Sequence, residues 1–121
     1  MDVRACIDDP ITINPGEIHL IPTGLAVSIP LGYEAQMRPR SGLALRHGIG
    51  MVNSPGTIDS DYRGEVKIIL INWGNTPFVI RRGDRIAQMV ITKVYRADIS
   101  ETDHLDHTDR GQGGFGHSGI R

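Results

Sequence analysis

Aromatic side chains are nearly missing from this chain: Phe78, Phe115, Trp73, Tyr33, Tyr62 and Tyr95 are all there are in 121 residues. A core built with so few is aliphatic, and an aromatic in a polar turn or a Gly-rich tail needs another reason to be there. Tyr62 and Phe115 stand in such places. Cysteine is scarcer still. Cys6 is the sole one, which excludes an internal disulfide and suits a reducing compartment. No apolar run has the length of a signal peptide or a membrane span. The net charge of -1 comes from interspersed acids and bases, so there is no basic field to hold a nucleic-acid polymer. These absences point to an intracellular, soluble, cytoplasmic protein acting on a small ligand. The length is that of one domain, enough for a sizeable core and small enough to gain stability by oligomerising.

What is present reads as short strands. Ile11–Ile13, Ile18–Ile21 and Leu25–Ile29 are apolar stretches separated by turn residues at Asn14–Glu17 and Pro22–Gly24. Tyr33–Met37 repeats the pattern, and in Glu65–Trp73 residues Val66, Ile68, Leu70 and Asn72 alternate with Lys67, Ile69 and Ile71. Arg85–Val94 ends the series. Only Ser41–His47 lacks strand character, with one turn of helix expected at Leu43–Leu45. The class is all-β, a jelly-roll-like barrel or sandwich whose edge strands need covering, for instance by subunit contacts. The pattern stops near Ala97. Residues 1–97 are therefore expected to form the β-barrel catalytic domain, and 98–121 a linker and a mobile arm with glycines at 111, 113, 114, 116 and 119.

Chemistry concentrates in Gly56–Glu65, where Asp59, Asp61 and Tyr62 sit between glycines ahead of a strand. A carboxylate on a tight turn beside a ring can act as general base while the ring offers a flat surface to a sugar or base. Taken alone, the same turn is a polar hairpin with solvated acids. Asp61 reads as a solvated turn residue or an ion-pair partner. Asn53 lies in an expected hairpin loop, Met51–Pro55, and its amide carries both a donor and an acceptor, as pairing with a base edge needs; otherwise it is a turn former. Arg40, Ser41 and Gly42 follow Pro39 and precede the possible helix start, so that N–H groups and a hydroxyl can face an anion. Gly83-Asp84 reads as a tight hairpin turn, with Arg85 structural. His104 and His107 with three nearby aspartates lack the pattern that would fix a transition-metal geometry.

Five stretches, in order, resemble the motifs of the trimeric dUTP diphosphatases: Asp2–Ala5, Pro39–Ala44, Gly56–Gly64, Arg82–Gln88 and Arg110–Gly119. The resemblance spans nearly the whole chain, and five motifs at suitable spacing are far more specific than one. Met1 stands where the family's usual Ala-Gly precedes the aspartate, from which an N-terminal strand of the family is expected to be absent. The resemblance implies a homotrimer hydrolysing dUTP to dUMP and diphosphate by water attack at the α-phosphorus, with each site drawing on three chains. Asp59 is then the base that activates water, and Gln88 orients phosphate or water near it. Arg40, Ser41, Gly42, Arg110 and Ser118 bind phosphate. Asn53 belongs to the uracil pocket, Thr57, Ile58 and Gly116 bind substrate, Tyr62 lies under deoxyribose, and Phe115 closes as a lid. His117 resembles the other polar residue of the arm. Mg²⁺, held mainly by triphosphate oxygens, is the implied cofactor, with Asp2 reaching it through water. A dCTP deaminase of the same fold would carry a catalytic glutamate at the position of Ile69 and lack the Gly-Gly-Phe-Gly arm. A non-catalytic nucleotide binder would have lost Asp59, Tyr62 or Phe115.

Overall fold

The computed structural model describes residues 1–117 and residue 119. In these, strands β1 (Asp2–Arg4), β2 (Ile11–Ile13), β3 (Ile18–Leu25) and β4 (Tyr33–Arg38) precede a short helix α1 (Ser41–His47). Strands β5 (Ile49–Met51), β6 (Gly56–Ile58), β7 (Val66–Asn72), β8 (Phe78–Ile80) and β9 (Arg85–Lys93) follow. They form three open sheets, ordered β1-β9-β4-β6, β3-β7-β5 and β2-β8, and every pairing is antiparallel. The all-β, jelly-roll-like class is borne out, with sheets that do not close into a barrel.

One aliphatic core lies between the sheets, with Val3, Ile13, Ile21, Met37, Ile68, Leu70, Ile80 and Ile86 all essentially inaccessible. In β7 the alternation holds through its last residue: Val66, Ile68, Leu70 and Asn72 face inward. Asn72 is fully buried, and its amide leaves no polar atom unpaired. It donates to the carbonyls of Ile13 (2.9 Å) and Thr76 (2.8 Å) and accepts from the Gly74 N–H (2.9 Å).

Three expectations about connections are corrected. Pro22–Gly24 is not a turn between two strands: β3 runs through it with a bulge between Pro22 and Leu25, and residues 26–29 belong to no sheet. Proline is tolerated because β3 is an edge strand, where its missing N–H breaks no ladder bond, while its carbonyl accepts from Cys6 N–H (2.8 Å). The segment Val52–Pro55 is not a hairpin loop either, since β5 pairs with β7 and β6 with β4. It carries the chain from one sheet to another, with a cis Ser54–Pro55 bond on the way. Likewise Gly83-Asp84 makes a tight turn, closed by Asp84 N–H donating to the Arg81 carbonyl (3.1 Å), yet it links β8 and β9 of different sheets.

Helix α1 is longer than the single turn expected, running seven residues. It ends at Gly48, whose φ of 67° is the left-handed cap and whose N–H returns to the Ala44 carbonyl. A side chain there would also collide with the backbone, since a Cβ would lie 2.4 Å from Gly74 N.

Candidate active site

Asp59 leaves the end of β6 and opens a turn in which its carbonyl accepts from Tyr62 N–H (3.1 Å). Arg63 secures that turn by donating to the carbonyls of Ser60 (2.7 Å) and Tyr62 (2.9 Å). The turn overhangs a cleft with Thr57, Ile58, Asp59 and Tyr62 on one wall and Leu20, Lys67 and Ile69 on the other. The second wall exists because β3 and β7 register Leu20 opposite Ile69 and Pro22 opposite Lys67. Tyr62 is half-exposed, and its hydroxyl donates to the Glu65 carbonyl (3.0 Å). The Glu65 carboxylate accepts from Gly24 N–H (2.9 Å) and faces Lys67 (3.6 Å). Among the described residues no cation pairs with the exposed Asp59 carboxylate. An apolar wall, a ring and a solvated carboxylate suit a flat, polar molecule presenting a group to be deprotonated at the rim.

Asn53 is exposed, and its amide folds across Gly56, where a Cβ would come 3.0 Å from Nδ2.

The opposite end of the four-stranded sheet holds a charged cluster. Strand β1 sets Asp2 opposite Gln88 of β9, and Gln88 opposite Arg38 of β4. The Asp2 carboxylate takes a hydrogen bond from Gln88 Nε2 (3.3 Å), pairs with Arg85 Nη1 (3.2 Å) and lies 4.0 Å from Arg40 Nε. The Gln88 amide above all holds its pKa below the ordinary 3.8; burial opposes it as the next largest effect, and the Arg85 and then the Arg40 guanidinium add smaller lowering contributions. Arg40 is steered separately, donating Nη1 to the Arg85 carbonyl (2.9 Å). Beside it Ser41 and Gly42 start α1, where no side chain caps the helix and the first N–H groups have no intrahelical acceptor.

Asp2 is the carboxylate held by Gln88 and Arg85, while Asp84 beside them accepts from the Arg81 N–H, and among the described residues no group of three or more His, Cys, Asp or Glu side chains forms a metal site. A single ionised carboxylate beside arginines fits a hard cation that arrives on phosphate oxygens and keeps water around it.

Within one chain these two ends do not meet. Ile58 registers with Ala35 and Gly56 with Met37, whereas Gln88 registers with Arg38. Asp59 thus lies level with Glu34, four residues or about 13 Å along the strand from the Gln88 row. Gln88 touches Asp2 and not Asp59. Among the described residues none of the arm lines the Asp59 cleft or the cleft between Arg40, Phe78 and Arg85. The arm's Arg110 Nε donates to the Gly113 carbonyl (2.6 Å), and Phe115 is fully exposed at φ 47°, followed by Gly116 at φ 90°. Ser118 lies outside the described residues.

Sequence reasoning missed the second wall of the cleft. Leu20, Lys67 and Ile69 are ordinary strand residues until the β3–β7 register turns them toward Asp59. Arg85 is structural as expected, and its partner is the candidate metal residue Asp2.

A family model described as dUTPase matches residues 2–119. The deoxyuridine 5'-triphosphate nucleotidohydrolase of Syntrophotalea carbinolica is 57% identical over 120 residues, covering 99% of this chain and 82% of that one. Among solved structures, the dUTPase of Staphylococcus bacteriophage 80alpha with dUPNHPP superposes at a TM-score of 0.82 with 26% identity, over 98% of this chain and 85% of that one. A mutant dUTPase from phage phi11 of S. aureus, in which a structural Mg(II) ion is coordinated, shares the fold at a TM-score of 0.76 and 22% identity, over 86% and 82% of the two chains.

Proposed function

The chain belongs to the dUTPase family and hydrolyses dUTP to dUMP and diphosphate; from that premise we propose how its residues divide the work. A water oxygen bonds to the α-phosphorus as the bond to the bridging oxygen breaks in line, and diphosphate leaves. Asp59 takes the water's proton. Thr57, Ile58 and Asn53 hold uracil, and Tyr62 lies against the deoxyribose. Arg40, Ser41, Gly42 and Gln88 receive the phosphates, with Arg110, Gly116 and Ser118 of the arm closing around them and Phe115 covering the base. Asp2 is the residue that would hold Mg²⁺ through water, and the ion when bound supplies charge neutralisation on the triphosphate.

An ionised Asp59 beside a triphosphate repels it unless cations intervene. Among the described residues no cation pairs with Asp59: Lys67 and Arg63 nearby are engaged by Glu65 and by turn carbonyls, and the arginines around Asp2 lie about 13 Å along the sheet. That separation is the observation that carries the reading: a working site combines the Asp59 cleft of one protomer, the Arg40–Asp2–Gln88 cluster of a second and the arm of a third, in a homotrimer. The exposed course of residues 95–112 after β9 supports an arm that serves a neighbour. A cytoplasmic setting fits the single cysteine, and among the described residues no helix is long and apolar enough to cross a membrane.

Complementation tests the assembly. Asp59→Asn with an intact arm and a chain truncated after Asp109 are expected to be nearly inactive alone. Co-refolded, they should regain activity well above the sum of the parents, because some sites then join a working Asp59 to a complete arm. Mixed trimers confirmed by mass that stay inactive would rule out sharing of the arm.

A further inference from the structure

The ring of Tyr62 rests on a residue that has no side chain. A Cβ on Gly64 would lie 2.4 Å from the Tyr62 hydroxyl oxygen, 2.6 Å from Cζ and 3.1 Å from Cε2, and the three nearest atoms it would meet all belong to that ring. Gly64 is exposed, and its φ lies outside the left-handed region. A left-handed φ is therefore not what calls for glycine at this position. What calls for it is the ring. The Tyr62 hydroxyl, the atom nearest Gly64, is held there by donating to the Glu65 carbonyl at 3.0 Å.

We propose that Gly64 is a positioning residue for substrate selection: its bare backbone is the seat that sets the plane and depth of the Tyr62 ring at the cleft. The proposal rests on the reading of Tyr62 as the surface under deoxyribose. An alanine methyl must recover ordinary contact distance, near 3.4 Å, from a starting 2.4 Å. The ring then shifts by about 1 Å, a displacement that can change a rate by up to ~100-fold when it misplaces a reacting or selecting group. A ring that excludes a ribose 2′-hydroxyl by contact loses its selectivity when it moves, while the base and phosphate contacts stay in place.

The test measures kcat/KM for dUTP and for UTP in the full-length protein. Gly64→Ala is expected to lower the dUTP:UTP ratio by about ten-fold or more with the thermal midpoint unchanged, and Tyr62→Ala to lower it at least as far. In the Tyr62→Ala background the added methyl meets no ring, so Gly64→Ala should change the ratio no further. A full additional loss in that background would show that Gly64 acts elsewhere, whether or not the single variant is less stable. If Tyr62→Ala lowers the ratio and Gly64→Ala does not, the seat is wrong and the role of the ring stands. If neither lowers it, the reading of Tyr62 fails and the seat with it.

Discussion

At one end of the four-stranded sheet Asp59 stands on a turn tied within a few residues of itself, by Tyr62 N–H to its own carbonyl and by Arg63 to Ser60. At the other end Asp2, Arg40, Arg85 and Gln88 are tied across separations of up to 86 residues. The first region is a local device whose carboxylate pairs with no cation among the described residues. The second is assembled only when the whole sheet has formed, and its cations come already ordered. Groups that must neutralise a triphosphate gain from being held in place beforehand, since orientation is then not lost on binding. A base needs only to be delivered to the water, and a compact turn at an edge can do that from a neighbouring protomer.

The sharpest way to break this comparison is Asp59→Asn, which keeps the turn and its shape while removing the proposed proton acceptor. Turnover should fall by about 10²–10⁴-fold with dUTP-analogue affinity retained. Loss of analogue binding of the same size would place Asp59 with the binding groups instead.

Arg85→Gln probes the ordered end. Without the Arg85 side chain the Asp2 carboxylate is left to turn toward Arg40, 4.0 Å away, and to compete with phosphate for it. KM should rise by about ten-fold with a smaller change in kcat. Steady-state kinetics separates the two; a kcat loss as large as that of Asp59→Asn would erase the distinction between the regions.

The smallest effect is electrostatic. Asp2 should titrate below 3.8 in a carboxyl NMR experiment, and Gln88→Leu should raise that value, since the Gln88 amide is its largest stabilising neighbour. Because the folded pKa is the lower one, the contribution of this cluster is complete above the ordinary carboxylate range and disappears only as pH falls through the folded value. An Asp2 that titrates at or above 3.8 would mean the cluster is not preassembled.

Much of the fold is legible in short-range pattern. The alternation of Val66, Ile68, Leu70 and Asn72 sets the inward face of β7, and the same periodicity marks β4. What local pattern does not carry is which strand pairs with which. Met51–Pro55 and Gly83-Asp84 have hairpin composition, yet each joins different sheets, because pairing is decided by partners far along the chain. Pro22 reads as a breaker until β3 is known to be an edge. The site divides in the same way: Asp59 and Tyr62 stand out in a ten-residue stretch, whereas the meeting of Gln88 with Asp2, and not with Asp59, follows from the β1–β9 register. Lys67 and Leu20 have no local signal, since only the β3–β7 register brings them to the cleft.

The buried amide of Asn72 ties together β2, the end of β7 and the turn that follows. Its acceptor oxygen holds the Gly74 N–H, so that proton is shielded by a side chain and not by a strand ladder. It can exchange with solvent only when the amide lets go, and the amide cannot leave without abandoning the Ile13 carbonyl, 59 residues away in sequence. The Gly74 proton is thus a clock for the joint opening of two sheets, ticking at the pace of the core although it sits in a turn.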